Sequence, residues 1–266
     1  MTPCVLPEKP PAIRGWKHGM TPVIGLIGGI GGGKSQVSGM LAARGAIVIV
    51  ADAVGHELLN DPVVRDQIVD RFGADVMTGP ASLADAGPRI DRRALGAIVF
   101  ADPAARRGLE AILHPRMRAR FADSIDRAAQ VDGPGARLVV LDAAILLEAG
   151  WDDLCDLIAF VDAPRAERVR RVVAERGWSE ETLESRESAQ WPIVEKRRRA
   201  DFVITNDAGF DQLSRQIDRL LAFLEERTRP AAVTSGRCLE LGAASTTPRP
   251  RDEKVFESPL APRRVR

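Results

Sequence analysis

Residues 28–35, Gly-Gly-Ile-Gly-Gly-Gly-Lys-Ser, constrain this chain more than any other stretch. They satisfy the pattern G-x-x-x-x-G-K-[ST] and follow the apolar run Val23-Ile24-Gly25-Leu26-Ile27, as a phosphate loop requires. A helix-forming segment, residues 35–44, comes next. Glycines let such a loop turn its N–H groups inward onto phosphate oxygens, and the helix behind it adds the positive end of its dipole. Gly29, Ile30, Gly31, Gly32, Gly33, Lys34, Ser35 and Gln36 are therefore the expected nucleotide-binding residues. Lys34 reaches the β- and γ-phosphates in this reading, and the Ser35 hydroxyl ligates Mg²⁺. The implied ligand is a nucleoside triphosphate with its magnesium ion.

Four further apolar runs read as strands. Residues 46–50 predict a second buried strand, and Asp52 follows at its carboxyl end. Ligands of open parallel sheets sit beyond those ends, which puts Asp52 on the same rim as Lys34. A carboxylate there can take a proton from an attacking hydroxyl or hold a metal-bound water; it can equally cap the helix that begins at residue 53. Residues 137–142 give a third strand ending in Asp142, which resembles the second phosphate-site carboxylate that supports Mg²⁺ through water. Residues 157–162 and 202–204 supply the last two strands, and an amphipathic helix spans about 210–225. Strands alternating with helices predict an α/β fold: three layers around a five-stranded parallel sheet of the phosphate-loop NTPase type.

Two helical regions interrupt that core. Residues 61–131 form a basic, helical insert, with a Gly/Pro/Ala-rich link over 78–88 and a long helix that Pro115 should kink or divide. Residues 165–192 carry Arg165, Arg168, Arg170, Arg171 and Arg176 around Gly177, as an arginine-rich lid would. A solvated charged helix pair has the same composition. The core then comprises residues 21–60 and 137–227. Residues 1–20 and 228–266 read as disordered extensions, and Met20 is the expected start of translation, to be checked by intact mass.

Composition excludes several classes. A net charge of +1 gives no pull toward nucleic acid or an anionic membrane surface. No apolar run has the length of a membrane span, and no signal peptide opens the chain. Cys4, Cys155 and Cys238 are too few and too scattered for a disulfide framework or a zinc site, so a cytoplasmic location is expected. No partner protein is indicated, and a monomer or weak homo-oligomer is expected. The lack of G-x-G-x-x-G at the first turn argues against dinucleotide binding, and the lack of Asn-Lys-x-Asp against a GTPase.

The ordered motifs resemble the dephospho-coenzyme A kinase family over about residues 23–221. They include Ala51-Asp52-Ala53-Val54-Gly55-His56-Glu57-Leu58, Ile90-Asp91-Arg92, Val99-Phe100-Ala101-Asp102 and Ile112-Leu113-His114-Pro115. Leu146-Leu147-Glu148, Val161-Asp162-Ala163-Pro164, Ser185-Arg186 to Gln190 and Ala200-Asp201-Phe202-Val203-Ile204 with Asn206 complete the set. The resemblance implies transfer of the ATP γ-phosphoryl group to the ribose 3′-hydroxyl of dephospho-coenzyme A, the last step of coenzyme A synthesis. It implies Asp52 as general base, and Asp52, His56, Arg92 and His114 on the acceptor side. It also implies Arg171 and Arg176 at the γ-phosphate, with Asn206 near adenine. Three positions depart from the family pattern: Val50 replaces the first carboxylate of Asp-Ala-Asp, Gln36 stands where threonine is common, and Ala144 replaces a proline. Another small-metabolite kinase of this fold, or a regulatory nucleotide-binding module gripping protein or RNA, would share the phosphate loop. Turnover with small acceptors separates them.

Overall fold

The computed structural model describes residues 21–78, 89–130 and 138–228. The expected extensions and most of the 78–88 link lie outside the described residues, as does Met20. Five parallel strands form one sheet in the order β2-β3-β1-β4-β5. They are β1 (Val23–Gly28), β2 (Ile47–Val50), β3 (Val139–Asp142), β4 (Leu157–Asp162) and β5 (Phe202–Thr205).

Runs that look uniformly apolar in sequence divide between the two faces by simple alternation. Val139, Leu141, Ile158 and Phe160 point into one core. Leu138, Val140, Leu157 and Ala159 point into the other. A parallel strand covered on both sides needs no polar face, hence the continuous runs. Helices α1 (Lys34–Ala42) and α9 (Phe210–Thr228) cover the second face.

The second strand departs from expectation. It is an edge strand, with Ile47 37% and Val50 42% exposed, because it pairs only with β3. Its apolar run was read as buried because strand order has no signature in local composition.

The helical insert contains α3 (Pro62–Phe72), α4 (Arg92–Ala101) and the first part of α5 (Pro103–Ala129). Leu59, Val64, Ile68, Val76, Ile90 and Leu95 give it a small core of its own. An antiparallel bridge between Met77 and Ile90 clasps the ends of the intervening link. Pro115 does not divide α5, which runs unbroken from Pro103 to Ala129. Interior proline costs a helix about 3 kcal/mol, and here packing offsets it. Gly108 is buried against α3, while Met117, Phe121, Ile125 and Ala128 are buried against the sheet. One helix thus serves both cores.

The stretch expected to form a lid comprises α6 (Arg165–Arg176) and α7 (Glu180–Glu187), followed by a short α8 (Ile193–Arg198). Gly177, at φ 63°, ends α6, and the Ser179 hydroxyl accepts from the Thr182 N–H to begin α7. Pro164 is the residue before the first turn of α6 rather than its first helical residue.

Candidate active site

The phosphate loop leaves the central strand β1, which is paired on both sides. Its shape depends on left-handed backbone at Gly31 (φ 74°) and Gly33 (φ 89°). Both positions also lack room. A Cβ on Gly31 would lie 2.7 Å from the Arg168 carbonyl oxygen, and one on Gly33 would overlap the Asn206 side-chain amide. The loop is therefore enclosed by lid helix α6 and by the end of β5.

Asn206 is buried, and its Nδ2 donates to the Gly32 carbonyl at 3.0 Å. Arg171 Nη1 donates to the carbonyls of Gly31 and Gly32 at 3.4 and 3.3 Å, and its Nη2 to the Asn206 carbonyl at 3.2 Å. Arg171 and Asn206 thus both reach the loop, and each braces its backbone. Ser38, one helical turn beyond Lys34 on α1, donates to Asp142 Oδ2 at 3.0 Å. That bond ties the helix behind the loop to the end of β3.

On the acceptor side, Asp52 is the second residue of α2 (Ala51–Leu58). Val50 occupies the N-cap position and no side chain caps the helix, so Asp52 does not cap it. It is exposed and faces a cavity of about 410 Å³ formed by α2, α4 and α5. His56, Arg92 and His114 line the same cavity, so all four residues expected on the acceptor side meet there. Leu95, Val99, Leu113 and Met117 make the remaining wall largely apolar. His114 is half-buried, its ring edge-on to Trp151 with centroids 5.0 Å apart. Gln36 is exposed on the first turn of α1, away from this cavity wall.

A sequence model of the dephospho-CoA kinase family matches residues 22–212. The chain belongs to that family. A dephospho-CoA kinase of Symbiobacterium thermophilum is 41% identical over 229 residues, covering 85% of this chain and 90% of that protein. One from Parasynechococcus marenigrum is 42% identical over 197 residues, covering 74% of this chain and 93% of that protein. Among solved structures, TT1252 from Thermus thermophilus aligns with a TM-score of 0.64 at 35% identity, over 77% of this chain and 98% of that one. The dephospho-CoA kinase from Campylobacter jejuni, at 22% identity and a TM-score of 0.57, shares the fold over 79% of this chain and all of its own.

The electrostatics of this family member link its two half-sites. Lys34 is half-buried as a residue, but its ammonium end is closely surrounded. Burial pushes its pKa down, while Asp142 and Asp52 pull it up and Lys196 and Arg176 add to the depression. Asp142 is buried, and desolvation raises its pKa against the opposing pull of Lys34 and the Ser38 hydrogen bond. Burial holds the His114 imidazole below its ordinary range, with Glu110 acting in the opposite sense. Asp52 therefore touches both halves: it lines the acceptor cavity and its charge acts on Lys34.

Two further cationic residues are buried beside the loop. Arg168, not Arg176, is the lid arginine buried against the loop; it donates to the Ile30 carbonyl at 3.4 Å and pairs with Glu187. Its spacing from Arg171, one turn along α6, was the available signal. Lys196 is 1% exposed, although it opens the run Lys-Arg-Arg-Arg. Its ammonium meets Glu148 Oε1 at 2.8 Å, the Ala144 carbonyl at 2.8 Å and Gln190 Oε1 at 2.9 Å. Nothing local distinguishes it from its three cationic neighbours.

Ser35 and Asp142 are hard oxygen donors of the kind Mg²⁺ accepts alongside nucleotide phosphates. Among the described residues no cluster of three His, Cys, Asp or Glu forms a self-sufficient metal site.

Proposed function

We propose that Asp52 is the general base of a phosphoryl transfer from ATP, with Lys34 and the lid arginines neutralising charge on the γ-phosphate. The reaction is that of the family, ATP-dependent phosphorylation of dephospho-CoA in coenzyme A biosynthesis. The observation that supports this assignment is the double placement of Asp52, on the acceptor cavity and within electrostatic reach of Lys34.

Phosphoryl transfer passes through a loose transition state, so the protein acts mainly by alignment and charge neutralisation. The loop amides of Gly29 to Gln36 and Lys34 hold the phosphates. Asp52 orients the acceptor 3′-hydroxyl and takes its proton, while His56, Arg92 and His114 fix the rest of the acceptor. Arg176 is the lid residue assigned to the γ-phosphate, since its charge already acts on Lys34. Arg171 approaches the phosphates by exchanging loop carbonyls for phosphate oxygens, and Asn206 sits at the nucleotide edge of the loop. Ser35 and Asp142 are the residues that would hold a nucleotide-bound Mg²⁺, which would supply charge neutralisation at the phosphates. A cytoplasmic monomer or weak homo-oligomer fits this assignment; among the described residues no helix is long and apolar enough to cross a membrane.

The test is ADP release from ATP and Mg²⁺, with and without dephospho-CoA, with the product weighed by mass spectrometry. A product heavier by one phosphate on the ribose 3′-oxygen is expected. Phosphate elsewhere on the acceptor, or transfer that survives loss of Asp52, removes the assignment.

A further inference from the structure

Phe100 sits at the C-terminal end of α4, lines the acceptor cavity and is 66% exposed. A phenyl ring this open at the mouth of a binding cavity calls for something to cover it. The Arg186 guanidinium, from lid helix α7, lies 4.5 Å from the centroid of that ring. It also lies 4.1 Å from the ring of Trp178, in the turn between α6 and α7. The Arg176 guanidinium in turn lies 5.0 Å from Trp178. A line of stacked groups therefore runs from the wall of the acceptor cavity to a cation that acts on Lys34.

We propose that Arg186 is a positioning residue that latches the lid to the acceptor cavity, so that Arg176 is brought over the phosphates when that cavity is ready for transfer. The proposal rests on the kinase reading above. Guanidinium is planar and weakly hydrated, and it stacks on aromatic faces where an ammonium does so poorly. Arg186 is half-buried between its two rings, and among the described residues no ion pair holds its guanidinium.

Ion pairs tie the two lid helices to each other and to the loop. Arg165 pairs with both Glu180 and Glu187, and Glu187 pairs with Arg168, which bonds the loop at Ile30. These ion pairs cross-link α6 and α7, so that a pull on Arg186 moves the lid arginines with it. The purpose is selectivity between acceptors. Water is always present as a rival to the substrate hydroxyl, and a lid that closes only onto a correctly formed acceptor wall suppresses hydrolysis.

Arg186→Met and Phe100→Leu, made singly and together in the full chain, test the latch. KM and kcat are measured for ATP and for dephospho-CoA, beside ATP hydrolysis without acceptor. Each single variant should raise KM for dephospho-CoA roughly three- to tenfold while KM for ATP holds within about twofold. The fraction of ATP lost to water should rise in both. Because both remove the Arg186–Phe100 contact, the double variant should be no worse than the more impaired single, Arg186→Met, which also loses the Trp178 contact. Arg186→Lys should recover only part of the loss, since it restores charge without the planar stack. Phe100 is exposed, so its leucine variant reports even if an Arg186 variant folds poorly.

Unchanged KM for dephospho-CoA in both singles overturns the latch, as do additive effects or equal rises in both KM values. A wild-type chain that hydrolyses ATP yet never phosphorylates dephospho-CoA overturns the kinase reading itself, and the latch with it.

Discussion

The side-chain amide of Asn206 donates to the carbonyl of Gly32 at 3.0 Å, joining the last strand of the sheet to a loop 174 residues earlier. The bond is buried, so its loss leaves the Gly32 carbonyl with only the longer bond from Arg171 at 3.3 Å. A net cost of about 1–3 kcal/mol is typical. Asn206→Ala should weaken ATP binding about tenfold or more while acceptor KM changes little. Calorimetric titration of ATP measures this; unaltered ATP affinity would mean the loop holds its shape without Asn206.

Asp52 is exposed and caps nothing, so its removal should not cost structure. Asp52→Asn keeps shape and removes the proposed base. Turnover should fall by roughly 10²–10⁴, the usual contribution of a positioned base, with ATP affinity retained. Near-normal turnover in a steady-state assay would take Asp52 out of the chemistry.

Lys34 carries a cost as well as a function. Its pKa is depressed from the ordinary 10.5, mainly by burial, so the fold holds its proton less tightly than the unfolded chain does. In the window between the folded value and 10.5 the unfolded chain binds more protons, and stability rises with pH there. Below that window the charged ammonium is a standing penalty. Lys34→Met should therefore melt at the same or a higher temperature than wild type while losing activity. Melting curves and turnover together decide it; a lower melting temperature would show the ammonium to be held by partners stronger than its desolvation.

His114 gives the acid side of the stability profile. Its folded pKa lies below the ordinary 6.5, so between those values the unfolded chain holds a proton that the folded one does not. The stability His114 contributes is present above 6.5 and is lost as pH falls through that window. His114→Gln should flatten the fall in melting temperature on acidification from neutrality. An equally steep fall in the variant would assign the slope to other groups.

Much of this architecture was legible because its signals are local. The phosphate loop, the apolar strand runs and Gly177 within the arginine-rich stretch each declare themselves within a few residues. Asp201, in the Ala-Asp-Phe-Val-Ile motif, proves to be a brace: its Oδ2 accepts from the Ile158 N–H at 2.8 Å and aligns β5 with β4. The misses share one cause. That β2 lies at the sheet edge, that Lys196 is buried while Arg197 is not, and that α5 survives Pro115 all depend on neighbours remote in sequence. Composition near those residues is the same whichever way the neighbours fall. His56, Arg92 and His114, assigned to the acceptor, come from three separate helices, and only the resemblance to a family grouped them in advance.

The sheet order gives the two substrates unequal footing. Lys34 follows β1, which is hydrogen-bonded on both flanks, whereas Asp52 follows β2, bonded on one flank and partly open to solvent. Amide protons along β1 should be among the slowest in the molecule to exchange, and those of β2 markedly faster. In the proposed reaction the nucleotide is thus gripped from an anvil, while the hydroxyl that receives the phosphate is presented from a springboard. Small adjustments of approach between the reactants fall to the springboard and leave the phosphate cradle unmoved.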